Sequence, residues 1–253
     1  MRRRHVPGDL LRTSMALAQV APQPLSGYLC ATIWDWEQER TVKGIKDPIT
    51  SYSMKFRVPL PPETPSHQTV FLFNGIQPSA SIPNKAVLQP VLQWGNQNDP
   101  DGGPFWSVAS WFVRGQPGAL DISARTRAIR VDADTDLVAT ISLTDNSDGV
   151  FSYLCEFSGV TGSALAVELS TELVRVTTAL ECYKVAGDTE LPASPSTSFR
   201  DITIQVNDNN RVSPNWQLKN LAPAGSGIAA TLVNHAGIAD EVDITYRLPP
   251  LHT

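Results

Sequence analysis

A chain of 253 residues is long for one average domain, yet an all-β sandwich reaches this size undivided. Its 42% hydrophobic and 18% charged residues describe an ordinary globular protein, and no apolar run approaches the ~18 residues of a membrane-spanning helix. The formal net charge of -5, with its only basic cluster at Arg2, Arg3 and Arg4, argues against nucleic acid, because phosphate binding needs a basic patch.

The first 26 residues read as an N-terminal extension, and 27–253 as one domain. Arg2 to Arg4 ahead of the apolar patch Met15 to Ala21 imitate a targeting peptide. The patch is short and Arg12 interrupts its approach, so a cytoplasmic protein is expected, with secretion the alternative. The absence of any Asn-x-Ser/Thr acceptor agrees with that expectation. The one helix of note is expected over Asp9 to Gln19, where Leu10, Leu11, Met15 and Leu17 form a partial stripe.

From there on, 20 prolines and 16 glycines punctuate short β-rich runs. Ser51 to Val58 alternates polar with apolar residues, which buries one face and wets the other. Further strands are expected over 70–73, 87–94, 106–113, 128–131, 137–143, 151–157, 165–169, 177–185, 201–206 and 242–246. Turns rich in Pro, Gly, Asn and Asp separate them. So many short strands without helical periodicity predict a two-sheet antiparallel β-sandwich of the concanavalin A-like jelly-roll kind.

Cys30, Cys155 and Cys182 are far apart, lack metal-ligand or redox spacing, and are odd in number, so reduced thiols packed as small core residues are expected. The four histidines are as scattered, and no metal or cofactor is called for. Asp132, Asp134 and Asp136 space carboxylates as a calcium loop would, but Leu137 stands where such a loop needs Gly and no Glu closes it. A solvated hairpin turn is the better reading. No Gly-x-Ser-x-Gly elbow supports a serine hydrolase.

Trp94, Trp106 and Trp111, with Phe105 and Phe112, are dense around a loop containing Asn96, Asn98, Asp99 and Asp101. Strand aromatics are most often core. Trp106 and Trp111 differ by an odd number of positions, so on an unbulged strand they face opposite sides, one toward the core and one toward a groove.

The stretch from Phe56 to Phe112 contains Phe56-Arg57-Val58-Pro59, Phe73-Asn74-Gly75-Ile76-Gln77, Val87-Leu88-Gln89-Pro90, Trp94-Gly95 and Trp106 through Trp111-Phe112. In order and spacing this resembles the glutamic peptidase (eqolisin) family, with its early Val-Pro, its Trp-Val-Gly-Ile-Asp element, its Ile-Leu-Gln-Thr element, a Tyr-Gly turn and a Trp-rich strand. Ile129-Arg130-Val131 with Asp136-Leu137 resembles a later strand, turn and strand of that family. Thr178-Ala179-Leu180-Glu181-Cys182-Tyr183 is similar to the segment that supplies its glutamate. The resemblance implies Gln89 and Glu181 as the catalytic pair, with Phe73, Gln77, Trp94, Trp106 and Trp111 as substrate-binding side chains. Phe73 stands where the family has tryptophan, Gln77 where it has aspartate, and Ser110 where it has an acidic residue.

A glutamate can serve as general base toward water and then as general acid, while a glutamine amide orients that water and donates to the oxyanion. Apolar neighbours around Glu181 should raise its pKa and suit acid-pH hydrolysis of a peptide bond. The alternatives are a non-catalytic module that binds a peptide or glycan in the same groove, and an enzyme of different chemistry on the same scaffold.

Overall fold

Period-two alternation sorts the side chains of most strands to one face or the other, and two antiparallel sheets close over the shared apolar face. The computed structural model describes residues 24–82, 85–96, 100–116, 119–207, 210–234 and 240–247. The helix expected over 9–19 lies outside these residues, as do 1–23 of the extension and, in the aromatic-flanked loop, Asn98 and Asp99. In chain order the strands are β1 (Leu25–Asp35), β2 (Ile49–Arg57), β3 (Thr69–Gln77), β4 (Lys85–Gly95), β5 (Gly103–Gln116), β6 (Ala119–Arg125), β7 (Ile129–Arg130) and β8 (Asp136–Asp145). They continue with β9 (Phe151–Phe157), β10 (Leu165–Leu169), β11 (Arg175–Val185), β12 (Ser196–Val206), β13 (Asn210–Val212), β14 (Gln217–Asn220), β15 (Ala229–Asn234) and β16 (Asp240–Thr245).

The first sheet runs β14-β1-β11-β3-β4-β5-β6, with β7 beside β5; the second runs β10-β9-β8-β2-β12-β16-β15, with β13 beside β12. Each holds 8 strands, and the jelly-roll sandwich expected from the turn spacing is the fold of the chain. The core between the sheets is built on large rings, among them Phe56 against Phe199 at 4.9 Å and Trp94 against Trp106 at 5.5 Å.

A second, smaller apolar cluster covers the other face of the first sheet: Ala31, Phe71, Phe73, Val91, Ala109 and Trp111 with Ala179. This is why β3 is buried along nearly its whole length on both faces, and it explains the unbroken apolar composition of Val70 to Phe73.

A helix that apolar periodicity does not announce, α1 (Trp36–Lys43), follows β1. Its ends carry the signal. Asp35 caps it by accepting from the Gln38 N–H at 3.2 Å, Glu37 and Glu39 sit in the first turn, Arg40 and Lys43 in the last, and Gly44 ends it at a left-handed φ of 68°. Trp36 pins it to the core, and Arg40 forms two 2.8 Å bonds to Glu172.

Asp132 to Thr135 form the tight turn that leads into β8, closed by the Thr135 N–H on the Asp132 carbonyl at 3.3 Å. Asp136 pairs with Arg57 at 3.1 Å. All three cysteines are free and buried; Cys155 lies on β9 and Cys182 on β11, in opposite sheets.

Candidate functional site

The outer face of the first sheet carries a cavity of about 560 Å³, within the range that binds small ligands and peptide segments. Its wall includes Tyr28 from β1, Glu181 and Tyr183 from β11, Phe71 from β3, Gln89 from β4 and Trp111 from β5. Strand register shows how these side chains come together. Tyr28, Glu181, Phe71 and Gln93 form one cross-strand row. Four residues along, Thr177 pairs with Gly75, Gly75 continues the register to Gln89, and Gln89 pairs with Trp111, which pairs with Arg125. An even offset keeps both rows on one face. Gln89 and Glu181 therefore share a face and a cavity.

They do not share a row. Four residues correspond to about 13 Å along the strand direction, and the two strand spacings across β3 add about 10 Å perpendicular to it. The side chain that faces Gln89 across Gly75 is Thr177, whose hydroxyl donates to the Thr32 carbonyl at 2.9 Å. Glycine at position 75 lets these side chains close over the strand: a methyl group there would lie 3.1 Å from Val87 Cγ1, 3.4 Å from Thr177 Cγ2 and 3.6 Å from Gln89 Cβ.

Glu181 is half-buried, and burial raises its carboxyl pKa, an effect offset in part by the hydrogen bond it accepts from the Tyr183 hydroxyl. Tyr183 is itself pushed up by burial, then by that hydrogen bond and the Glu181 charge. At the other end of the cavity Arg125 lies 3.9 Å from Asp101. Gln89 is 8% exposed and Trp111 4%, and neither Gln89 Oε1 nor Trp111 Nε1 has a hydrogen-bond partner among the described residues.

The other expected substrate-binding residues stand elsewhere. Trp94 and Trp106 point into the core between the sheets and pack edge-to-face against each other, outside the cavity wall. Their alternating neighbours Gln93 and Ser107 take the outer face, because Trp106 and Trp111 lie on opposite sides of β5 as their odd spacing requires. Phe73 is on the cavity's face but wholly buried, with Tyr28 edge-on to it at 6.1 Å. Gln77 ends β3 opposite Arg175, outside the cavity wall. The resemblance passed over Tyr183, which lies two positions beyond Glu181 on the same strand face, and Tyr28, which belongs to a strand that composition alone did not reveal. Among the described residues no group of three His, Cys, Asp or Glu could hold a metal ion.

Neither a protein-family model nor a curated protein matches this chain. Solved structures do. Scytalido-glutamic peptidase in complex with a peptide-based transition-state analogue superposes with a TM-score of 0.52 at 15% identity, over 88% of this chain and 99% of that one. The same peptidase with a transition-state analogue inhibitor superposes with a TM-score of 0.51, also at 15% identity and over the same shares of the two chains. Likeness at this identity concerns architecture: the chain has the two-sheet scaffold of the glutamic peptidases.

Proposed function

We propose that this chain is a polypeptide-binding protein on a glutamic-peptidase-like scaffold, holding an extended segment in the cavity of the first sheet. The single observation that carries it is the cavity itself: aromatic walls, with a buried glutamine and a buried tryptophan whose Oε1 and Nε1 atoms have no partner among the described residues. One solved structure on this scaffold, Scytalido-glutamic peptidase, holds a peptide-based transition-state analogue, which favours peptide over glycan. Hydrolysis has no carboxylate in the Gln89 row, where Thr177 stands.

The test titrates acetylated, amidated octapeptides and neutral oligosaccharides into the protein with tryptophan fluorescence as readout, followed by mass spectrometry of the ligand. Peptide binding that Trp111→Ala abolishes, with the peptide mass unchanged, is expected. Binding of oligosaccharides alone would refute it.

A second reading is acid-pH peptide hydrolysis by Gln89 and Glu181, favoured by their shared cavity and by the raised Glu181 pKa. Cleaved peptide in the same experiment, lost in Glu181→Gln, would establish it in place of the first.

A further inference from the structure

Gln89 and Trp111 are direct cross-strand partners on β4 and β5, and both line the cavity. At 8% and 4% exposure, each keeps one polar atom out of solvent with no partner among the described residues: an acceptor, Gln89 Oε1, and a donor, Trp111 Nε1. Leaving such a group unpaired costs about 1–3 kcal/mol, and two in adjacent positions on a cavity wall mark a place where a ligand supplies the missing bonds. The third polar side chain of the row, Thr177, is already satisfied by the Thr32 carbonyl.

We infer that Gln89 and Trp111 form a two-point fork that reads the main chain of one extended residue of the bound polypeptide, Gln89 Oε1 accepting its N–H and Trp111 Nε1–H donating to its carbonyl oxygen. In an extended chain a single residue turns its own N–H and C=O to the same side, as it does in the doubly hydrogen-bonded pairs of an antiparallel sheet. One donor and one acceptor on side chains of adjacent strands, whose Cβ atoms lie about 5 Å apart, complement that pair. A sugar hydroxyl offers both functions at one atom and matches the spacing less well. Recognition through the main chain makes the site tolerant of ligand sequence at this residue, while the Phe71, Val87 and Val113 walls favour apolar side chains at its neighbours.

This inference rests on the polypeptide-binding reading, and the test separates the two. The probe is acetyl-Gly-Ala-Phe-Ala-Gly-amide together with its series of single ester replacements, in which one backbone N–H at a time becomes an oxygen. In the wild type, one ester position should weaken binding about tenfold, the cost of one acceptor left unpaired. That position should lose its penalty in Gln89→Met, which keeps the volume and removes the acceptor. Trp111→Phe, which keeps an aromatic face and removes the donor, should weaken the parent peptide by a similar factor. A peptide that binds with a flat ester scan overturns the fork and leaves the binding reading standing. A sensitive position that stays sensitive in Gln89→Met also overturns it. Failure of the parent peptide to bind the wild type at millimolar concentration overturns both.

Discussion

Moving the carboxyl into the Gln89 row tests the geometric account of the site most directly. Between Gln89 and Glu181 the offsets of about 13 Å along the strands and about 10 Å across them combine to a diagonal of roughly 16 Å. Two extended side chains reach roughly 4 Å each, which leaves roughly 8 Å between their heads. One water bridging two hydrogen bonds spans only about 5.6 Å, so one water does not join them. Between Gln89 and position 177 the separation is about 10 Å, and the same reach brings both heads onto one water above Gly75. Thr177→Glu sacrifices the bond to the Thr32 carbonyl, worth about 1 kcal/mol, and at pH 4 the new carboxyl can remain protonated, which avoids burying a charge. With reduced, alkylated ribonuclease as substrate and mass spectrometry of its fragments, Thr177→Glu should cleave at pH 4 at least ~100-fold faster than the wild type, the lower end of what a positioned acid–base group contributes. Thr177→Gln should be as inactive as the wild type, and circular dichroism checks that both variants fold. A wild type that cleaves as fast as Thr177→Glu and loses that activity in Glu181→Gln would refute the reasoning.

Glu181 makes stability fall with pH. Its folded pKa lies above the ordinary value of 4.5, so its contribution is fully present below that value and is lost as pH rises through the folded pKa, where the unfolded chain ionises more readily. Glu181→Gln removes this dependence, and urea unfolding from pH 3.5 to pH 7 should show the variant gaining on the wild type as pH rises; parallel curves would contradict the shift. Trp94→Ala should cost about 3–5 kcal/mol in denaturant unfolding, because the ring fills the core beside Trp106; unchanged stability with weakened ligand binding would return Trp94 to the groove. Burial pushes the thiols of Cys30 and Cys155 up to about 12 and holds Cys182 well above the ordinary thiol value, so a thiol reagent at pH 8 should label none of the three in the native protein and all three in denaturant. A bridge between Cys155 and Cys182 in a non-reduced mass spectrum would contradict their state as free buried thiols.

Strands with one wet and one buried face were legible because alternation is a local signal: β2, β8 and β9 fall where the pattern puts them. Strand β1 was not legible, since Leu29 to Ala31 are buried in succession around a register shift that breaks the alternation. The helix α1 had its caps in plain view, but eight residues with one buried side chain present no stripe for periodicity to detect. The opposite orientations of Trp106 and Trp111 followed from counting along one strand, whereas the assignment of Trp106 to the core required the second sheet, which no local pattern supplies.

The same distinction governs the candidate site. Counting along β4 or β11 tells which side chains share a face, and Gln89 and Glu181 do end on the same face of one sheet. Whether they meet depends on how β11 slides against β3, a pairing between segments about a hundred residues apart in the chain, where sequence spacing has no authority. The β11–β3 register runs unshifted from Arg175 opposite Gln77 to Tyr183 opposite Thr69. Carrying Glu181 to the position facing Gln89 would require sliding β11 by four residues. Four is even, so the slide would keep every side chain on its own face, yet it would move Thr177 and Val176 beyond the end of β3 and take Val176 from its pairing with Ile76 in the core. Apolar burial between the sheets thus holds Glu181 one row group away from Gln89, beside Tyr183 and Tyr28, and leaves the glutamine's amide to the ligand.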